Sequence, residues 1–316
     1  MTMRNILIGL GAGLAAALLF AGIATGTSLA LPLYFLSPLP IAIAGLGFGT
    51  WAGAAAAATA AVVIAALFGP LFGGVQLAMF GIPVAWGAHL VGLSRPADED
   101  GKVEWFPLSQ VLVRVAVVVA AGVVVLMPLM GMNPADFSRQ LMAAIEEWMK
   151  SGGDPLDATT RAEAAQVIDI MVALLPAISA FSALTFTVMN LWLGGHVARM
   201  SGHLPRPWMP MWTVTLPKHA VTVLGIAILA AFVLPGIGSQ IAVAIAGAFT
   251  LAFALSGYGA LHALLRGRPG RIPLLILVYA TSFIFAPAII AAALIGIADT
   301  LLQFRFRNVS GAGPAS

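Results

Sequence analysis

Cysteine does not occur in this chain, which excludes disulfides, thiolate metal sites and cysteine nucleophiles together and leaves the redox compartment unreadable. Charge is nearly as scarce. Asp, Glu, Lys and Arg make up 9% of the 316 residues while 60% are hydrophobic, far outside the proportions of a soluble domain. From Asn5 to Ser94 there is no Asp, Glu, Lys or Arg at all, a stretch that bilayer-spanning helices of roughly 20 residues divide into about four. Beyond Ile170 the only carboxylate side chain is Asp299. A P-loop, an HExxH helix, a Gly-x-Ser-x-Gly elbow and a carboxylate pair inside an apolar run are all missing. The chain is therefore read as a non-enzyme with no cofactor, and its scattered histidines as no metal site. Nothing in it suggests nucleic acid as a partner.

What is present is a series of apolar blocks. "WAGAAAAATAAVVIAALF", Trp51 to Phe68, is apolar all round rather than alternating, so helices and not a β-barrel satisfy the backbone in lipid. Candidate spans fall at roughly 6–24, 29–48, 51–68, 73–93, 109–130, 168–198, 219–236, 240–265 and 272–303. The predicted fold is all-α: one integral membrane domain over 1–316, a polytopic bundle of about 8–10 spans with an amphipathic outer helix. The first apolar stretch, Ile6 to Ala24, exceeds the roughly 7–15 residues of a signal-peptide core, and is read as an uncleaved span.

Basic residues in short loops set the orientation. Arg4, then Arg95 and Lys102, then Arg199, Arg206 and Lys218, then Arg266, Arg268 and Arg271 all fall on one side, predicted to be the cytoplasmic face of a bacterial inner membrane. The N-terminus and the 95–108 loop are then cytoplasmic, and the acidic 131–167 segment lies outside. The last run, 272–303, has 32 residues, about 48 Å of helix against a hydrocarbon core of about 30 Å. A break at Pro287 would return Arg305 and Arg307 to the cytoplasm, where with Asp299 they form a polar end to the final span. On a continuous helix Asp299, Gln303 and Arg307 share a face. Residues 308–316 read as a disordered tail.

In the outer segment Asn133-Pro134 opens a helix in which Phe137, Leu141, Met142, Ile145, Trp148 and Met149 share one face. Thr160 and Glu163 have capping-box spacing for the next helix. Inside the spans, polar residues are costly unless paired or hydrated. Gln76, Asn190, Tyr258 and His262 are the candidate ligand-binding residues, the last two sharing a helix face by their spacing of four. Ala12 with Ala16, and Ala17 with Ala21, repeat at intervals of four and make a smooth face for close packing against another helix of the chain or of a partner.

"SPLPIAIAGLGFGTWAG", "PWMPMWTVTLPKHAV" and "YGALHALL...LIGIADTLLQFRFR" together resemble the YybS-like family of predicted bacterial membrane proteins, domain of unknown function 2232. That family is similar in turn to the substrate-binding S components of energy-coupling-factor transporters. The resemblance implies a protein that binds a small solute and docks, through alanines such as Ala12, Ala16, Ala17 and Ala21, on a transmembrane coupling subunit with two ATPases. The alternative reading is a non-transporting membrane scaffold for an envelope or division assembly, using the outer helix and the basic loops.

Overall fold

The computed structural model describes residues 2–96, 103–131, 133–152 and 157–305. The predicted 308–316 tail and Arg307 lie outside the described residues. The chain is all-α apart from one small hairpin. Seven of its helical segments are long and apolar enough to cross a membrane, and three apolar helices are shorter.

The N-terminal half contains α1 (Met3–Ala21), α2 (Ala30–Leu36), α3 (Leu39–Phe48), α4 (Thr50–Phe68), α5 (Pro70–Gln76) and α6 (Ile82–Gly92). The predicted span 29–48 is two helices, because Pro38 has no N–H to donate and the chain turns at Ser37-Pro38. Between α5 and α6 one π-helical turn, Leu77–Gly81, widens the helix without ending it. The predicted 95–108 loop holds a hairpin in which β1 (Ser94–Pro96) pairs antiparallel with β2 (Val103–Trp105).

The C-terminal half contains α7 (Leu108–Leu129), α8 (Pro134–Ser151), α9 (Ala158–Met200), α10 (Lys218–Val233), α11 (Ile237–Leu264), α12 (Arg271–Ile284) and α13 (Pro287–Leu302). Helix α11 is the core of this half. Phe249 and Phe253 on it are completely buried, packed among side chains of α7, α9, α10 and α13. Helix α9 joins the halves by packing on both α3 and α11.

Small residues set how closely the helices approach. A Cβ built on Gly9 would lie 2.5 Å from the carbonyl oxygen of Ala52, and one on Gly13 would lie 2.5 Å from Cβ of Thr59. Helices α1 and α4 therefore meet backbone to backbone, as small-residue stripes allow. Gly257 and Gly296 cross still more closely: a Cβ there would meet Ala292 O at 1.8 Å or Phe253 O at 2.0 Å. Only glycine fits at that α11–α13 crossing.

Helix α9 has 43 residues, about 65 Å of helix, so it extends well beyond the predicted span 168–198. Its polar first turns project from the bundle, and α8 packs back against them with an Arg161–Glu146 ion pair of 2.9 Å. Asn133 caps α8 as its sequence predicts, accepting from the Ala135 N–H at 3.1 Å. The predicted Thr160–Glu163 capping box does not form. Asp157 is the cap instead, accepting from the Thr160 N–H at 2.6 Å, because an aspartate three residues earlier caps equally well and starts the helix sooner.

The last apolar run is broken: α12 ends at Ile284 and α13 starts at Pro287. Helix α12 has no buried residue, and Phe283 near its end is 93% exposed. The break carries the chain back to the end of the bundle where the basic loops lie.

Candidate functional site

Hydroxyl side chains inside membrane helices usually bond the carbonyl one turn earlier. Thr185, Thr250, Ser282 and Thr300 all do so, at 2.7–2.9 Å from the oxygens of Phe181, Ala246, Val278 and Gly296. Thr187 and Ser37 do not. Both are completely buried, and the hydroxyl of each lacks a hydrogen-bond partner.

Two sequence candidates share this condition. Gln76 is fully buried, with neither Nε2 nor Oε1 bonded. It sits at the last residue of α5, where the π turn begins, and its Oε1 faces the side of Gly81. Asn190 uses Nδ2 to donate to Phe35 O at 2.9 Å and to Phe186 O at 2.8 Å. Its Oδ1 is buried and free.

The segments that carry these four residues are pinned to one another by aromatic contacts. Phe35 stacks on Phe186 with centroids 4.0 Å apart. Tyr34 meets Phe80 edge-on at 5.3 Å, one turn beyond Gln76. Ser37 follows Phe35 by two residues, and Thr187 precedes Asn190 by one turn on the same side of α9. These contacts bring the segments that carry the four uncharged side chains, the end of α2, the α5–α6 π turn and α9, against one another. Buried polar atoms left this way cost about 1–3 kcal/mol each unless water or a ligand completes them.

The other two predicted ligand residues do not join this group. The Tyr258 hydroxyl donates to Ser282 Oγ at 2.7 Å, and His262 Nε2 shares a hydrogen bond of 2.9 Å with the Tyr279 hydroxyl. Tyr258 and Tyr279 also stack, at 5.2 Å. These bonds hold α12, a helix with few other contacts, to α11. The predicted docking face is likewise occupied. Ala16 and Ala17 are buried within the bundle, Ala16 packing with α3 and α4 and Ala17 with Ile64 and Phe80, while Ala12 and Ala21 are half-buried. The chain's own helices use that stripe.

Asp299 meets Arg305, and the pair is sealed from solvent at 0% and 3% exposure. Arg305 Nε donates to Asp299 Oδ2 at 2.5 Å, and its backbone N–H to Oδ1 at 3.2 Å. Nη1 reaches the carbonyls of Trp212 and Val214 at 2.9 and 3.0 Å, and Nη2 reaches Ser256 O at 2.9 Å. The predicted continuous face of Asp299, Gln303 and Arg307 is not formed. Helix α13 ends at Leu302, and Gln303 takes a left-handed conformation with φ 52° that turns Arg305 back onto the carboxylate. The pair thus clamps the end of α13 to the 211–214 segment.

Gln76 and Asn190 are visible in the sequence as amides in apolar helices, whereas Ser37 and Thr187 are not singled out there. No local signal separates an unbonded hydroxyl from one bonded to the preceding turn. Among the described residues no three His, Cys, Asp or Glu side chains gather as a metal site.

No curated protein and no solved structure matches this chain. A family model does: the one for predicted membrane protein DUF2232 matches residues 13–300. With its apolar bundle and that match, the chain belongs to the DUF2232 family of predicted membrane proteins.

Proposed function

We propose that this chain is a solute-binding membrane protein whose ligand is held by Ser37, Gln76, Thr187 and Asn190. One observation carries the reading: among the described residues, five polar atoms of four completely buried side chains have no partner, whereas Thr185, Thr250, Ser282 and Thr300 bond the preceding turn. The donor set is uncharged, so the favoured ligand is a small neutral solute offering both donors and acceptors. The chain has no nucleotide-binding motif, so energy for uptake would come from a separate coupling subunit with ATPases, as in S components. Binding is favoured over catalysis because no acid or base accompanies the hydroxyls of Ser37 and Thr187 to activate them. The basic loops support a bacterial cytoplasmic membrane location with the N-terminus cytoplasmic.

The test is purification from native membranes, extraction of small molecules and mass spectrometry, with Gln76→Leu compared to the unmodified protein. A solute should be recovered from the unmodified protein and fall about tenfold or more in the variant, as loss of paired hydrogen bonds predicts. Once stripped of solute, the unmodified protein should be the less stable of the two, since only it then keeps the unsatisfied buried amide. Equal recovery, or no solute at all together with a destabilised variant, would overturn the reading.

The scaffold reading draws on α8. None of its residues is buried, and Trp148 is 72% exposed, a surface open to a partner or to headgroups. Replacing residues 134–151 by a flexible linker separates the two. Loss of partner cross-linking with solute recovery intact favours the scaffold.

A further inference from the structure

Among the described residues the bundle buries two guanidinium groups, and only one has an acid. Arg305 is paired with Asp299. Arg206, in the segment joining α9 to α10, is 6% exposed, and among the described residues no carboxylate lies within ion-pair distance of it. Its Nη1 donates to Phe106 O at 2.8 Å and Val91 O at 3.4 Å, and Nη2 lies 3.4 Å from the Met209 sulfur. Its Nε is buried without an acceptor. Burial alone pushes its pKa below the ordinary arginine value. Carbonyl oxygens satisfy some of its donors but do not neutralise its charge, and an uncompensated buried charge costs several kcal/mol.

Arg206 also lies on the wall of a cavity of about 140 Å³. The cavity runs between the first turns of α7 (Val111, Val115) and the last turns of α9 (Leu191, Gly195), beneath a roof formed by Trp208 and Met211. Arg206 is the one charged residue in this lining; the rest are aliphatic, aromatic, methionine, proline or glycine. Its volume suits a benzene-sized group, and it is partly open to the surroundings. The cavity is at the end of the bundle that carries the basic loops, at the depth of Trp105 and Trp208, where amphipathic rings favour the headgroup zone. Arg199 stacks over Trp208 at 5.4 Å, adding a second positive charge near the roof.

We infer that this cavity binds an amphiphile with an anionic head, the carboxylate or phosphate facing Arg206 and the nearest part of the hydrocarbon lying against Val111, Val115 and Leu191. Both requirements come from one place: a desolvated cation that needs an anion, and the apolar walls beside it. The rest of the hydrocarbon extends into the bilayer. This site is separate from the polar group at Gln76 and does not depend on what binds there.

The protein in phosphatidylcholine nanodiscs tests it, using quenching of tryptophan fluorescence, since Trp192 and Trp208 both line the cavity. The probes are dibromostearate, its uncharged methyl ester, and dibrominated phosphatidylglycerol and phosphatidylcholine. Saturable quenching is expected at about tenfold lower concentration for at least one anionic probe than for its neutral counterpart, the scale of one charge-assisted contact. Saturation by dibromostearate alone assigns a free carboxylate, and saturation by phosphatidylglycerol alone assigns a lipid headgroup. Arg206→Gln should erase the preference. Val111→Phe, which keeps Arg206 and fills the cavity, should abolish saturable quenching and so decides the matter if the arginine variant fails to fold. Equal quenching by charged and neutral probes, or saturable quenching that survives Val111→Phe in a folded protein, would overturn the inference.

Discussion

Asp299 sits in the last turn of α13, where the exposed carbonyls of the helix end disfavour negative charge. It is tolerated because Arg305 returns to it through the left-handed Gln303 and satisfies it twice. Breaking such a pair strands the remaining charge, at about 3–5 kcal/mol. Asp299→Asn and Arg305→Gln should each lower the thermal midpoint of the purified protein, read by intrinsic tryptophan fluorescence. The double variant Asp299→Leu with Arg305→Met should recover most of that loss. A single variant as stable as the unmodified protein would show that the clamp contributes nothing. Spacing alone pointed to Arg307 as readily as to Arg305, because a helix that stops at Leu302 looks the same in sequence as one that continues. Asp157 offers a second residue-level test. The Thr160 N–H holds its carboxyl below the ordinary carboxylate range. Its contribution is therefore complete above the ordinary carboxyl pKa of about 4 and is lost as the pH falls through the lowered value. Amide exchange in the first turn of α9 should accelerate on acidification, and Asp157→Asn, an equally good cap, should remove that dependence.

At the scale of elements, contact between backbones governs the bundle more than large side chains do. The stripe on α1 was visible in sequence, since Ala12 with Ala16 and Ala17 with Ala21 recur at helical spacing. Its partner was not, because "WAGAAAAATAA" and several other segments could have received it equally well. The structure places α4 there. At the α11–α13 crossing no side chain larger than hydrogen fits at Gly257 or Gly296. Gly257→Ala and Gly296→Ala should each destabilise the protein by about 1–3 kcal/mol or more as the helices separate. Gly225→Ala on α10, where a Cβ would meet nothing within 4 Å, should be nearly neutral in the same melting assay. A comparable effect at all three positions would contradict the close crossing. The break before Pro287 was legible for an elementary reason: 32 residues of helix exceed the bilayer. The turn at Ser37-Pro38 falls inside "LPLYFLSPLP", where the prolines already invite a kink, although the whole 29–48 run is apolar enough to pass for one span.

Across the whole molecule, the start of α1, the 203–214 segment and the end of α13 gather at one end. The Asn5 side chain donates to Phe48 O at 2.9 Å, Phe48 packs on His203 at 4.9 Å, and Arg305 reaches Trp212 and Val214. Helix α8 lies at the other end. The absence of cysteine makes this simple to check with single cysteines in sealed vesicles: Thr2→Cys and Ser201→Cys should label from one side and Ser151→Cys from the opposite side. The all-helical membrane class followed from composition alone. The proposed group was half legible. Gln76 and Asn190 stood out as amides in apolar helices, and Tyr258 and His262 as polar rings four residues apart that turn out to bond α12. What distinguishes the two pairs is whether a tertiary partner is within reach, and no residue pattern records that.

The central claim is that the buried polar atoms at the junction of α2, the π turn and α9 are completed by a bound solute. A high-resolution cryo-electron microscopy map of the protein taken directly from native membranes tests it most directly. The account predicts non-protein density within hydrogen-bonding reach of the Gln76 amide and Asn190 Oδ1, extending toward Ser37 or Thr187. Direct bonds among those four side chains, with no density between them, would contradict it.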